Sequence, residues 1–303
     1  MTRKTLLIVL CLMAVVTAVS AQTLNRSAWM KGLTDDVPVC RLTIPATHDS
    51  GALLGGEALQ TQDISIREQL EAGVRGFDIR LQACDNGKLG VYHSVQFQDI
   101  YWETDVLPAF LEFLKKHPSE MLFVSLKKEG GDSEAYRRLA AASLNDKALA
   151  PYLVNDFKND LTLGDCRGKI LFMHRDRILK DYPGAQCHGW DDNVTCWVTL
   201  KDARGNETLV SVEDEYGYPN GNKAAYKGRI TWKNMKAAMK NAGKNHRWYI
   251  SFASATALPV AGPAAFSDVV NPLLAKQTQG VNQSCGIVLI DFAGSTDGRT
   301  LID

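Results

Sequence analysis

Met121-Leu-Phe-Val-Ser-Leu126 and Ile287-Val-Leu-Ile-Asp-Phe292 decide how the rest of the chain is read. Both are short, nearly all apolar, and do not alternate between polar and apolar residues. A strand with one wet face alternates; a strand covered on both faces reads as a continuous apolar run, as in parallel sheets flanked by helices. Outward from these two, Arg41–Ile44, Val74–Leu81, Leu89–His93, Ile170–His174, Leu209–Val212 and Trp248–Ala253 read as further strands. Helical patterns lie between them. Ser65 and Glu68 form a capping box for a helix closed by Gly73. Thr104 is expected to cap a second, with Leu107, Phe110, Leu111 and Leu114 on one stripe until Pro118. Thr231 is expected to cap a third, carrying Met235, Ala238, Met239 and Ala242 before Gly243. About eight strands alternating with helices predict a single-domain α/β fold, a distorted (β/α) barrel of TIM type. A doubly wound open sheet fits less well, because no G-x-G-x-x-G follows the first strand.

The 303 residues are 45% hydrophobic and 22% charged, an ordinary globular balance. Lys+Arg and Asp+Glu both number 34, so the chain lacks the basic excess with which proteins neutralise nucleic-acid phosphates, and no nucleic-acid partner is expected. The first residues read differently from the rest. Arg3 and Lys4 precede an apolar run of 11 from Leu6 to Val16, and Val19-Ser20-Ala21 supplies small residues. That is the layout of a secretory signal peptide. The run falls short of the ~20 residues of a membrane span. Residues 1–21 are therefore expected to be removed on export, leaving 22–303 as a secreted or periplasmic barrel. Six cysteines remain after Cys11 is lost, namely Cys40, Cys84, Cys166, Cys187, Cys196 and Cys285. In an oxidising compartment they allow disulfides, and Cys187–Cys196, flanking a short polar loop, is the expected pair.

In a parallel barrel the reactive side chains come from the C-terminal ends of strands. Those ends carry His48 and Asp49, then Asp78 and Arg80, then His93, Lys127, Arg175 and Asp291. Two histidines can serve as one general base and one general acid, since imidazole titrates near neutrality. A carboxylate beside the base would fix its tautomer. Arginine offers a planar fork for phosphate oxygens and stays charged as negative charge grows. Base, acid and arginine together suit attack on a phosphodiester by a neighbouring hydroxyl, with no metal or other cofactor expected. The carboxylates are interspersed with basic residues, unlike a calcium cage.

Ile44-Pro-Ala-Thr-His-Asp-Ser-Gly51 followed by Val74-Arg-Gly-Phe-Asp-Ile-Arg80 resembles the X-domain of phosphatidylinositol-specific phospholipase C in its small, metal-independent bacterial form. The resemblance continues through Val91-Tyr-His93, Ser125-Leu-Lys-Lys-Glu129, Gly168-Lys-Ile-Leu-Phe-Met-His-Arg175 and Val288-Leu-Ile-Asp291. It implies an enzyme that releases diacylglycerol from phosphatidylinositol, or from glycosylated inositol lipids, and leaves inositol 1,2-cyclic phosphate. His48 matches the base that deprotonates the inositol 2-hydroxyl and Asp291 the carboxylate that orients it. Arg80 matches the phosphate clamp, with Asp78 a supporting carboxylate. His93 matches the acid on the leaving oxygen, assisted by Asp49. Lys127 and Arg175 match contacts to the inositol hydroxyls, and Asp214 and Tyr216, in Val212-Glu-Asp-Glu-Tyr216, resemble the inositol-binding Asp and stacking Tyr.

Two features depart from that pattern. The family often has His-His-Gly at the acid position, whereas Tyr92 and Ser94 flank His93 here. The cysteines, and the stretch from Asp181 to Lys223, expected to be an elaborated loop region, are also foreign to the simplest members. A glycerophosphodiester phosphodiesterase of the same barrel type would need His-Arg-Gly and Glu-x-Asp where His48-Asp49-Ser50 and Asp78-Ile79-Arg80 stand. A non-catalytic inositol-lipid binding module would have lost a histidine or the arginine. The resemblance also implies a monomer that meets a membrane surface transiently, through rim elements such as Leu53, Leu54 and the apolar loop Ala255–Phe266.

Overall fold

The computed structural model describes residues 25–202 and 204–303, so the expected signal peptide lies outside the described residues. Eleven strands form one sheet. They are β1 (Ile44–Thr47), β2 (Gly76–Ala83), β3 (Leu89–His93), β4 (Gln96–Tyr101), β5 (Leu122–Lys128) and β6 (Ile170–His174). Then come β7 (Ala185–Gln186), β8 (Thr195–Lys201), β9 (Glu207–Glu213), β10 (Trp248–Phe252) and β11 (Ile287–Ile290). Because β1 pairs with both β11 and β2, nine of them close into a barrel in the order β1-β11-β10-β9-β8-β7-β6-β5-β2. All its pairings are parallel except β7–β8 and β8–β9. At the β1–β2 closure Gly76 faces Ala46 so closely that a Cβ there would collide with the Ala46 Cβ.

The helices are α1 (Gly56–Leu59), α2 (Ile66–Ala72), α3 (Leu107–Lys116), α4 (Ser133–Leu144), α5 (Leu163–Cys166), α6 (Ala224–Asn241), α7 (Pro263–Thr278) and α8 (Thr296–Ile302). Among the described residues none is long and apolar enough to cross a membrane. The capping box of Ser65 and Glu68 opens α2, and Gly73 closes it with φ 111°. The other two cap expectations do not hold. Thr104 lies in a π-helical turn ahead of α3 and its hydroxyl donates to Asp105. Thr231 sits in the middle of α6, buried, its hydroxyl taken by a buried glutamate.

Three further expectations are corrected. Leu89–His93 is a strand but not a barrel strand; it runs antiparallel to the end of β2 and turns into β4, forming a hairpin at the mouth. The stretch expected as an elaborated loop contains β7, β8 and the whole of β9, of which Leu209–Val212 is the expected strand. Thr195, Trp197, Thr199 and Lys201 face outward while Val198 and Leu200 are buried, the alternation of a half-covered strand. The expected Cys187–Cys196 disulfide is absent: all six described cysteines are free. Cys187 is deeply buried, which pushes its thiol up to about 12.

Two apolar cores meet at the barrel wall. The inner one fills the barrel with Ile44, Ala46, Phe123, Leu171, Met173, Val210, Val212, Ile250, Ile287 and Leu289. The outer one sets Phe77, Ile79, Val124, Phe172, Val288 and Ile290 against the helices. Neighbouring residues of one strand thus serve different cores, which is why these strands lack polar positions.

Candidate active site

Period-two alternation carries the inner face of each strand upward into a layer of charge. Ile44 and Ala46 are followed by His48, Leu171 and Met173 by Arg175, Val210 and Val212 by Asp214, and Ile287 and Leu289 by Asp291. Asp78 and Arg80 stand opposite Ser125 and Lys127 in the β2–β5 register. All these residues therefore meet at the C-terminal mouth. Just past β1, Asp49 has φ +41°, an uncommon conformation for a non-glycine residue that marks the sharp turn there.

The Arg80 guanidinium is the centre of the cluster. Its Nη2 lies 3.0 Å from His48 Nε2, its Nη1 3.0 Å from Asp49 Oδ2, and Nη2 again 3.1 Å from Asp78 Oδ2. An arginine only donates, so His48 Nε2 must be the unprotonated acceptor. The ring proton then sits on Nδ1 and is donated to Asp291 Oδ1 at 2.9 Å. His93 is fixed in the same way: its Nδ1–H donates to the Leu59 carbonyl at 2.6 Å, leaving Nε2 toward Asp49 Oδ2 at 3.4 Å. The two imidazoles stand edge to face, 6.2 Å between centroids, with Asp49 within 3.6 Å of His48 as well.

Electrostatics divide these groups into distinct roles. Burial and the Arg80 charge hold His48 well below the usual histidine range, so the imidazole is neutral with its Nε2 free to accept a proton. Burial pushes Asp49 up to about 6 against the pull of Arg80. For Asp78 the balance is reversed: burial would raise it, but Arg80 and Arg175 hold it below the carboxylate range. Asp291 is pushed well above its ordinary value by burial and by Asp49.

Flanking this centre is a second group suited to a polyol. Arg175 approaches Asp78 at 3.6 Å and Asp214 at 3.5 Å, and its guanidinium lies 3.9 Å from the centre of the Trp190 ring. Trp190 donates its indole N–H to Asp214 at 3.2 Å. Lys127 pairs with Glu129 at 3.1 Å. Tyr216 stands apart at the rim, 37% exposed, its hydroxyl donating to Asp192 rather than to any group of the cluster. Of the apolar rim, Phe266, in the first turn of α7, is buried, whereas Leu54, Leu258 and Val260 are exposed.

Sequence reasoning did not single out Glu129, Trp190, Phe252 or Gln62. Glu129 accepts from the Ser94 N–H at 2.9 Å and approaches Arg80 at 3.7 Å. Its parity with Ser125 and Lys127 is the signal that marks it. Gln62 donates to the carbonyls of His48 and Ile290 at 2.8 and 3.0 Å, clamping β1 to β11. Phe252 closes the floor edge-on to His48 at 5.9 Å. Neither Gln62 nor Trp190 carries a local pattern that betrays its place. As for a metal, His48, Asp49 and Asp78 offer donors within 4.8 Å of one another. Arg80 already contacts all three, so its charge stands where a cation would have to sit.

The family model for phosphatidylinositol-specific phospholipase C, X domain, matches residues 36–176. Over 294 residues the chain is 27% identical to the 1-phosphatidylinositol phosphodiesterase of Staphylococcus aureus strain Newman, covering 88% of each. It is 29% identical over 275 residues to the enzyme of that name from Listeria monocytogenes, covering 87% of this chain and 80% of the other. Among solved structures, a fluorophenylalanine-containing phosphatidylinositol-specific phospholipase C from S. aureus aligns with a TM-score of 0.77 at 24% identity, over 92% of this chain and 97% of the other. The L. monocytogenes enzyme aligns with a TM-score of 0.72, again at 24% identity, over 92% and 98%. These structural likenesses establish the barrel.

Proposed function

The chain belongs to the phosphatidylinositol-specific phospholipase C X-domain family, and from that premise we propose that it cleaves phosphatidylinositol to diacylglycerol and inositol 1,2-cyclic phosphate. The observation that carries this reading is the placement of two histidines edge to face across Asp49, one of them against Arg80, each with its proton position dictated by its partner. His48 presents a bare Nε2, held ready by Asp291, to take the proton of the inositol 2-hydroxyl. The freed oxygen attacks phosphorus and closes a five-membered ring. Arg80 turns its fork to the phosphate oxygens as their charge grows. His93, in its protonated form, delivers a proton from Nε2 to the departing diacylglycerol oxygen, with Asp49 beside it. Lys127, Arg175 and Asp214 hold the ring hydroxyls, and Tyr216 stacks on the ring. Leu54, Leu258, Val260 and Val95, the last 88% exposed at the hairpin tip beside His93, support transient contact with a lipid surface. The N-terminal pattern supports export, and the family resemblance supports a monomer.

The test is direct. Purified protein incubated with phosphatidylinositol in EDTA should produce the phosphorus NMR signal of a five-membered cyclic phosphate. Turnover lost in EDTA and restored by calcium would contradict the role given to Arg80.

His93→Ala should lower kcat on phosphatidylinositol by ~10²–10⁴, the usual contribution of a positioned acid. An aryl leaving group, which departs without a proton, should recover much of that loss. Equal losses on both substrates would remove His93 from the acid step.

Asp291→Asn tests the support of the base. The Asp291 side chain makes one hydrogen bond, to His48, and its Oδ2 has no partner among the described residues. It caps no helix and holds no loop, so the variant should keep its melting temperature while kcat falls by ~10² or more with KM little changed. A lowered melting temperature with kcat intact would make the residue structural.

A further inference from the structure

The segment between β1 and α2 reaches the mouth without a core of its own. Residues 54–58 are all exposed, and α1 within them buries no side chain and has no side-chain cap. Its base is closed where the Thr61 and Gln62 N–H groups both donate to the Ala52 carbonyl at 3.0 Å. On one flank a Cβ at Gly262 would collide with the Glu57 carbonyl. On the other flank runs the hairpin of β3 and β4. Among the described residues, only Gln98 and His93 of that hairpin have side chains hydrogen-bonded to residues 53–59.

Gln98 lies on β4, the outermost strand of the sheet, and is 3% exposed. Its Oε1 accepts from the Leu54 N–H at 2.8 Å. Its Nε2 donates to the Leu54 and Gln96 carbonyls, both at 3.3 Å. The amide thus pairs with both backbone groups of Leu54, as the peptide of a neighbouring strand would. A buried amide is unfavourable without such partners, and every partner here is backbone. From Leu54 the chain is compact up to Leu59. Gly55 has φ +110°, and a Cβ on it would lie 2.6 Å from the Leu59 Cβ. The single turn of α1 closes with the Gln60 N–H on the Gly56 carbonyl at 3.0 Å. At the end of this unit stands the Leu59 carbonyl, which accepts the His93 Nδ1 proton at 2.6 Å.

We propose that Gln98 is a positioning residue for the acid: its clamp on Leu54 holds the Leu59 carbonyl against His93 Nδ1. With that nitrogen committed, Nε2 carries the transferable proton. It leaves with the diacylglycerol oxygen, and the ring is left neutral with its other proton still on Leu59. A loosened clamp disturbs this step alone, because His48, Arg80 and Asp291 belong to β1, β2 and β11. The idea rests on the reaction proposed above.

Gln98→Leu keeps much of the volume and removes both bonds to Leu54. Its kcat on phosphatidylinositol should fall about 10–10²-fold, since a displacement of ~1 Å suffices for the upper figure, with KM little changed. A substrate with an aryl leaving group, which departs without a proton, should turn over nearly as fast as with the wild type. In a His93→Ala background the same change should slow the enzyme no further, because changes that act through one residue do not add. Nitrogen NMR of the labelled His93 ring gives a readout that needs no turnover. The neutral ring should be the Nδ1–H form in the wild type and a mixture of both tautomers in Gln98→Leu. An inactive wild type would therefore sink the reaction while the tautomer signal still judges the clamp. Gly55→Ala, which presses on Leu59 with Gln98 intact, should reproduce the split between substrates and carries the test if Gln98→Leu does not fold. Equal losses on both substrates, a loss that adds to that of His93→Ala, or an unchanged tautomer would leave Gln98 a structural fastener and overturn the proposal.

Discussion

His48→Ala is expected to lower kcat by at least ~10²–10⁴, the range for loss of a positioned general base, and an aryl leaving group should not rescue it. The variant leaves Asp291 buried with no hydrogen bond, so a modest loss of stability, about 1–3 kcal/mol for an unsatisfied buried group, should accompany it. Because base and carboxylate act as one unit, His48→Ala combined with Asp291→Asn should be little slower than His48→Ala alone. The same pair predicts a titration. Burial and Arg80 lower the histidine's pKa, so its neutral form should persist as pH falls through 6.5 and give way only well below it. Nitrogen NMR of the labelled ring checks this, and a His48 that protonates at 6.5 or above would contradict the geometry of its Nε2.

Arg80→Lys is expected to be the most damaging conservative change, with kcat down by ~10³–10⁵, the range over which a transition-state arginine acts in phosphoryl transfer. One guanidinium reaches His48, Asp49 and Asp78 together, at 3.0, 3.0 and 3.1 Å. A lysine presents one nitrogen and cannot span two phosphate oxygens in parallel. The fork-less side chain also cannot reach His48, Asp49 and Asp78 together, so the part of the downward pull on His48 that comes from Arg80 should weaken while that of burial stays. A variant with wild-type kcat would remove Arg80 from phosphate contact.

The barrel was legible because continuous apolar runs such as Ile287–Ile290 have one physical explanation, burial on both faces. His48, Arg80, Arg175 and Asp291 were legible because parity along a parallel strand predicts where a residue emerges. The hairpin of β3 and β4 was misread because a local apolar pattern does not say which neighbour a strand pairs with. β8 was overlooked for the opposite reason: its outward face is polar and its inward residues are few, so it resembles a loop to anyone searching for fully buried strands. The cap assigned to Thr231 failed because a threonine ahead of an apolar stripe looks alike whether its hydroxyl serves a helix end or a buried Glu213. Gln62 and Trp190 acquire their meaning only from partners in other elements, Ile290 and Asp214 among them.

Parity also governs how this protein can change. The charged layer rides on the same alternating faces as the inner core, so deleting one residue within β11 would turn Asp291 toward the helices and push Val288 and Ile290 into the barrel. One lost codon would abolish the reaction and invert two cores together, a penalty no substitution at the same site imposes. The connection from β8 to β9 carries no such register, because the strands it joins can lengthen beyond the wall without rotating any residue of the mouth. Gains and losses of length should therefore accumulate at that connection, and the strands leading to the mouth should vary by exchange of side chains alone.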